Sequence, residues 1–187
     1  MGKVREVSCE ALIAGILYSD NNSLETAVRL LEEKFGPVAL KSEAFDFNMT
    51  DYYSAEMGKD LKKIFCCFEN PVALETLPDI KLTTNEMELR LAAGNADNPR
   101  RRVNIDPGYV TLSKLVLVTT KDYSHRVFIG KGIYAETTLR FIGRTFTSVE
   151  TTYPDYRTPF AIDFFNTVRE FVKENRMVWN RKKELKN

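Results

Sequence analysis

The apolar run Leu12-Ile13-Ala14-Gly15-Ile16-Leu17-Tyr18 is unbroken and is closed by Ser19-Asp20-Asn21-Asn22, so it predicts a strand buried on both faces. The period then changes. Leu24, Ala27, Val28, Leu31 and Phe35 form a helical stripe, with a capping-box-like Asn22 and Glu25 at its start (Asn22 or Ser23 being the cap) and Gly36-Pro37 at its end. Val38 to Phe47 reads as a second strand, and Thr50 to Gly58 as a polar, aromatic loop or short helical turn. Leu61 to Glu69 is a third strand, whose alternation is lost at Ile64 to Phe68, as in a strand covered on both sides. Leu77-Pro78-Asp79 opens a second helix running to about Ala93, with Ile80, Thr84, Met87 and Leu91 spaced for one face.

Gly94 to Arg102 carries the breakers Asn95, Asp97, Asn98 and Pro99 and reads as a loop. Its Arg100-Arg101-Arg102 end is the pattern of a solvated loop end, with a phosphate contact as the alternative. Asp106-Pro107-Gly108 has the chemistry of a type II turn. Leu115 to Thr119 is a strand, and Gly130-Lys131-Gly132 between Val127–Ile129 and Ile133–Phe141 signals a hairpin. In its second arm Ile133, Ala135, Thr137 and Leu139 should face one way, and Tyr134, Glu136, Thr138 and Arg140 the other. Thr145 to Thr151 suggests one more strand. Thr158-Pro159 starts a last helix with the buried stripe Ile162, Phe165, Val168 and Val172, and a charged tail follows Trp179.

The predicted order is β-α-β-β-α-β followed by a hairpin and a C-terminal helix. It gives an α+β fold with a ferredoxin-like core, as one domain over 1–187: core 10–120, hairpin and polar loops 121–157, C-terminal helix 158–180. The competing layout is a larger mixed sheet with the hairpin inserted beside a βαβ unit.

Composition narrows the function classes. The chain has 187 residues, 43% apolar and 28% charged, enough for a real core. Lys+Arg 27 against Asp+Glu 26 leaves a net charge of +1, which does not favour a nucleic acid partner or an anionic membrane. No run approaches the roughly 18 apolar residues of a membrane span. Cys9, Cys66 and Cys67 do not make a disulfide framework, and Ile64 to Phe68 reads as core; together these point to a reducing cytoplasm. One histidine and three cysteines give no structural zinc pattern and no metal-ligand spacing, and the sequence names no cofactor. Walker, G-x-G-x-x-G, G-x-S-x-G and H-E-x-x-H motifs are absent.

Functional groups concentrate in Arg102 to Arg157. Lys121, His125 and Arg126 can present cationic donors to an anion, and Asp122 can orient the only imidazole. Asp106 and Glu136 can act with His125 as acid/base groups, or as ligands for a hard cation. Asp155 and Arg157 flank Tyr156 and can add to the ligand contacts, while Tyr52, Tyr53 and Tyr156 can line the walls. Each also has a structural reading: Asp122 and Ser124 as turn caps, Asp106 in its turn, Arg157 as an ion pair with Asp155. The expectation is a binder, and on a second step an enzyme, of a small anionic or phosphorylated ligand such as a nucleotide, with Lys121, His125, Glu136 and Arg157 in one cleft. The alternative is a non-enzymatic interaction module with a protein or RNA partner.

Val103-Asn104-Ile105-Asp106-Pro107-Gly108-Tyr109, Thr119 to Arg126, Gly132-Ile133-Tyr134-Ala135-Glu136 and Thr152 to Arg157 resemble the motifs of an uncharacterised prokaryotic family catalogued only as a domain of unknown function. Thr50-Asp51-Tyr52-Tyr53, Glu56-Met57-Gly58 and Lys81 with Thr84-Asn85 resemble it too. The resemblance spans nearly the whole chain and implies a single unit, without a mechanism.

Overall fold

The computed structural model describes residues 9–95 and 98–184. The expectations for the first eight residues, for Asp97 and for the end of the charged tail fall outside them. The elements in order are β1 (Glu10–Tyr18), α1 (Asn21–Phe35), β2 (Val38–Lys41), β3 (Phe45–Asp46), α2 (Ser54–Met57), β4 (Lys62–Val72), α3 (Leu77–Leu91), β5 (Ala93–Asn95), β6 (Asn98–Arg100), β7 (Val103–Val110), β8 (Lys114–Thr119), β9 (Val127–Gly130), β10 (Ile133–Ile142), β11 (Thr145–Ser148) and α4 (Pro159–Glu184). The fold is α+β, built on a large antiparallel sheet.

Among the described residues nine strands join in one sheet, ordered β11-β10-β8-β7-β1-β4-β2, with β3 also on β4 and β9 also on β10. The sheet is larger than the four-stranded core read from the sequence, because β7, which does not read as a strand in the sequence, enters between β1 and β8, and the hairpin arm β10 continues the sheet beyond β8. β1 lies centrally and pairs antiparallel with β4 and with β7. Its side chains alternate between two cores. Leu12, Ala14 and Ile16 pack under α1 and α3 with Ala27, Leu31, Ile80 and Met87. Ala11 and Ile13 meet α4 through Phe165, Val168 and Val172 on the other face. Two-sided covering is why β1 and the middle of β4 read as continuous apolar runs.

Several local readings change. The cap of α1 is Asp20, not Asn22 or Ser23: its carboxylate accepts from Ser23 N at 2.9 Å and Ser23 Oγ at 2.7 Å. Such a cap contributes about 1 kcal/mol. The second strand is two short pieces, β2 and β3. β5 and β6 pair as a two-stranded ribbon where the sequence reads as a bare loop. Asp106-Pro107-Gly108 is not a turn; it lies inside β7, where Gly15 pairs with Asp106 and Ile13 with Gly108. The ladder from β7 to β8 covers only Gly108 to Val110, which leaves one side of Pro107 with no pairing to interrupt. Gly108 is required by packing instead of by a positive φ, since any side chain there would run into the Val116 carbonyl. In β10 a register shift between Thr137 and Leu139 breaks the simple alternation. Leu139 therefore joins the α4 core, while Ile133 and Ala135 face α3. Tyr153-Pro154 leads into a turn of 3-10 helix over Pro154–Arg157 instead of an extended connector. Thr158 caps α4 as read, its hydroxyl accepting from Ala161 N at 3.2 Å.

Candidate functional site

Antiparallel pairing brings the end of β1, the starts of β4 and β7 and the end of β8 to one edge of the sheet. Three segments close over it: residues 47–57 with α2, the 119–126 loop, and the 153–157 turn. They enclose a cavity of about 500 Å³, within the range of small-molecule sites. Five cationic residues (Lys63, Lys81, Arg101, Lys121, Arg126) and three carboxylates (Glu88, Asp106, Asp155) line it, with Tyr52, Tyr53, Tyr123, Tyr153, Tyr156 and Phe47 as its rings.

The floor is a buried ion pair. Lys63 Nζ donates to Asp155 Oδ2 at 2.6 Å and lies 3.8 Å from Asp106 Oδ2. The ammonium sits 4.8 Å from the Tyr156 ring centroid. Gly15, directly beneath, is small for a reason: a Cβ would stand 2.6 Å from the Tyr156 hydroxyl and 3.0 Å from Lys63 Cε. Among the described residues that hydroxyl is buried without a hydrogen-bond partner.

A relay of polar side chains connects this floor to the covering segment. Glu56 of α2 takes both arms of Arg101, from Nε at 2.7 Å and Nη2 at 2.6 Å. Arg101 Nη1 donates to Asn104 Oδ1 at 2.9 Å, and Asn104 Nδ2 donates to Asp106 Oδ2 at 3.0 Å. Arg101 Nη1 also reaches Glu88 Oε2 at 3.3 Å, while Glu88 Oε1 accepts from Ile105 N at 2.7 Å. Lys81 Nζ donates to the Ile105 carbonyl at 2.9 Å. The Arg101 fork holds the Glu56 carboxyl below the usual carboxylate value. Burial pushes Glu88 the other way, above its usual value, against the pull of Lys81. Arg101 is thus a tertiary clamp, not the solvated end of an arginine run.

At the rim, Lys121 Nζ donates to the Tyr52 hydroxyl at 2.9 Å, and this bond lowers the Tyr52 phenol below its usual value. Lys121 makes no ion pair among the described residues, unlike the four other lining cations. Arg126 donates through Nη1 to the Lys121 carbonyl at 3.0 Å and through Nη2 to the Tyr153 hydroxyl at 2.6 Å. Its Nη2 also reaches Glu136 Oε1 at 3.2 Å, while its buried Nε has no hydrogen-bond partner among the described residues. His125 Nε2 stands 2.7 Å from Glu136 Oε2, so Glu136, rather than Asp122, orients the imidazole.

The residues singled out in the sequence are therefore divided. Lys121, Arg126, Asp106, Asp155, Tyr156, Tyr52 and Tyr53 line one cavity. His125 and Glu136 bind each other just outside it and anchor the 121–126 loop to β10. Arg157 stands apart: its guanidinium donates to the carbonyls of Thr152 and Glu150, at 2.6 Å for the former, and makes no ion pair with Asp155. Lys63, Lys81, Glu88, Arg101 and Asn104 were missed as site residues. The available signals were Lys63 at the edge of an apolar strand run, and Lys81 with Glu88 seven residues on, one helical face apart by two turns. Among the described residues no group of three or more His, Cys, Asp or Glu is placed to hold a metal ion, and no helix is long and apolar enough to cross a membrane.

An α+β fold with a polar, aromatic cavity at one sheet edge is the setting in which the family comparison falls. The family described as "Domain of unknown function (DUF4416)" matches residues 9–171, and the chain belongs to it. No curated protein and no solved structure matches the chain.

Proposed function

We propose that this chain binds a small anionic ligand bearing a flat ring, of the nucleotide kind, in the cavity under residues 47–57. One observation carries the reading. Lys121, a cation with no carboxylate partner among the described residues, stands on a cavity wall beside Arg126 and the rings of Tyr52 and Tyr123. Anions are held by such cations, and rings by such faces. Of the acid/base groups read from the sequence, Asp106 is the one that lines the cavity; His125 and Glu136 serve to hold the loop. Catalysis, if the ligand is turned over, falls to Asp106 with Lys63 beside it.

The test is a thermal-shift screen of nucleotides, sugar phosphates and inorganic phosphate. A ligand at 100 times its Kd adds about 2.7 kcal/mol to native stability and raises Tm. Lys121→Ala should abolish the shift while leaving the ligand-free Tm close to that of the parent. A panel in which no anion raises Tm would sink the reading.

A second reading, an interaction module, draws on the exposed Val127 and Phe128 of the outer strand β9. It predicts that charged substitutions there abolish partner capture and leave ligand shifts intact.

We further infer that β1, α1, β2, β4, α3 and β7 form a ferredoxin-like unit within the larger sheet; the order β7-β1-β4-β2 with antiparallel pairings supports it. The free thiols Cys9, Cys66 and Cys67 support a cytoplasmic setting.

A further inference from the structure

We propose that Asp106 is an acceptor subsite that selects ligands whose ring carries an amino group. The inference rests on the cavity being the ligand site and goes on to name which ligands it takes.

The three carboxylates of the wall are not equivalent. Asp155 is held on Oδ2 by Lys63 at 2.6 Å, and at 5% exposure the rest of its carboxylate is closed by burial. Glu88 is closed by Ile105 N on one oxygen and by Arg101 on the other. Asp106 is different: Oδ2 accepts from Asn104 and faces Lys63, and among the described residues its other oxygen accepts no hydrogen bond. Its side chain is 32% exposed, the only one of the three open to the cavity to that degree.

The open oxygen is also held in place. The Asn104 amide cannot turn over, because its Oδ1 is taken by Arg101 Nη1, and Arg101 is itself fixed by the fork to Glu56. Asn104 therefore presents Nδ2 to Asp106, and the carboxylate presents an acceptor to the cavity. Tyr53 and Tyr153 stand close by. Burial, then the Asp106 charge, raises the Tyr53 phenol; burial, then Glu136, with Asp106 contributing less, raises that of Tyr153. Asp106 lines the same cavity as both rings, so a flat ligand stacked there can turn its edge to the carboxylate.

A ligand that fills this space strips water from the open oxygen. A ring amino group replaces the lost hydrogen bond. A ring carbonyl at the same place sets two acceptors against each other, and a site built for a donor rejects such an analogue strongly. Lys121 and Arg126 answer the anionic group and are indifferent to the ring edge.

The experiment is calorimetric titration of the full chain with CMP, UMP, AMP and IMP. CMP and UMP differ by amino against carbonyl at one ring position and by the proton on the adjoining ring nitrogen, as do AMP and IMP. At least one amino-bearing nucleotide should bind about tenfold or more tighter than its carbonyl partner. In Asp106→Asn the amide oxygen is claimed by Asn104 Nδ2, which turns its NH2 to the cavity, so the preference should vanish or invert. Lys121→Ala should weaken both members of a pair alike and keep their ratio. If Asp106→Asn does not fold, Asn104→Ala replaces it: the freed carboxylate loses its aim, and the ratio should drop by several-fold. Equal binding of both members to the parent chain, or a ratio unchanged by these variants, overturns the inference. With equal binding that still depends on Lys121, the broader ligand reading stands. If none of the four binds at millimolar concentration, both fall.

Discussion

Lys63 Nζ and Asp155 Oδ2 meet at 2.6 Å although 92 positions separate them in the chain. Each side chain is only 5% exposed. The pair ties the 153–157 turn to the first residues of β4 and forms the cavity floor. Removing one partner leaves the other charge buried and unpaired, which costs about 3–5 kcal/mol. Lys63→Met should therefore lower stability by about that much in urea denaturation. Lys63→Met combined with Asp155→Leu should recover most of the loss. A double variant as unstable as the single one would show that the pair is not coupled.

Arg101 gathers Glu56, Glu88 and Asn104 around one guanidinium. A lysine carries the charge but not the fork. Arg101→Lys should cost about 2 kcal/mol and should release residues 47–57, measured as faster amide exchange or proteolysis in that segment. Glu56→Gln should loosen the same segment with a smaller loss of stability, because Glu88 keeps its partner.

Gly15 and Tyr156 make a testable pair. Tyr156→Phe removes a buried hydroxyl that has no hydrogen-bond partner among the described residues, so the change should be within about 1 kcal/mol of neutral or stabilising. Gly15→Ala inserts a methyl group against that hydroxyl and against Lys63, at a cost of about 1–3 kcal/mol. In the Tyr156→Phe background the Gly15→Ala cost should fall, because one of the two close contacts is gone. Equal costs in both backgrounds would count against the contact.

Two glutamates give stability opposite dependences on pH. Glu56 is held below its usual 4.5 by Arg101, so its contribution is present above that value and is lost as pH falls through the folded pKa. Glu88 is raised above 4.5 by burial, so its contribution is complete below that value and is lost as pH rises through the folded pKa. Denaturation midpoints followed across this range should show Glu56→Gln flattening the acid limb. An unchanged acid limb would mean that the fork does not act through the Glu56 charge.

Much of the frame was legible before any coordinate. The stripe Leu24, Ala27, Val28, Leu31 and Phe35 defined α1, and Gly130-Lys131-Gly132 marked the hairpin, where all three residues do take positive φ. These signals are local, and local periodicity and turn chemistry report them. The same kind of signal misled at Asp106-Pro107-Gly108. A turn-like tripeptide is overruled there by pairing with β1 on one side and by close packing of Gly108 on Val116. The loop cluster around His125 is legible as a cluster, but the division of its members between cavity lining and loop anchor is not, because it depends on where β10 runs. Arg157 looks like an anion binder in sequence, but it spends its donors on two carbonyls of its own turn.

By itself the sequence determined the three long helices and the two-sided covering of β1 and β4, since those follow from spacing within ten or fifteen residues, whereas β7, with its turn-like Asp106-Pro107-Gly108, was set by its pairing with β1. Which charges meet was decided only by the tertiary structure. Lys63 finds Asp155, and Arg101 finds Glu56, through strand order and register in a nine-stranded sheet. No spacing along the chain encodes those distances, and a one-residue change of register in β4 would send Lys63 to the opposite face of the sheet.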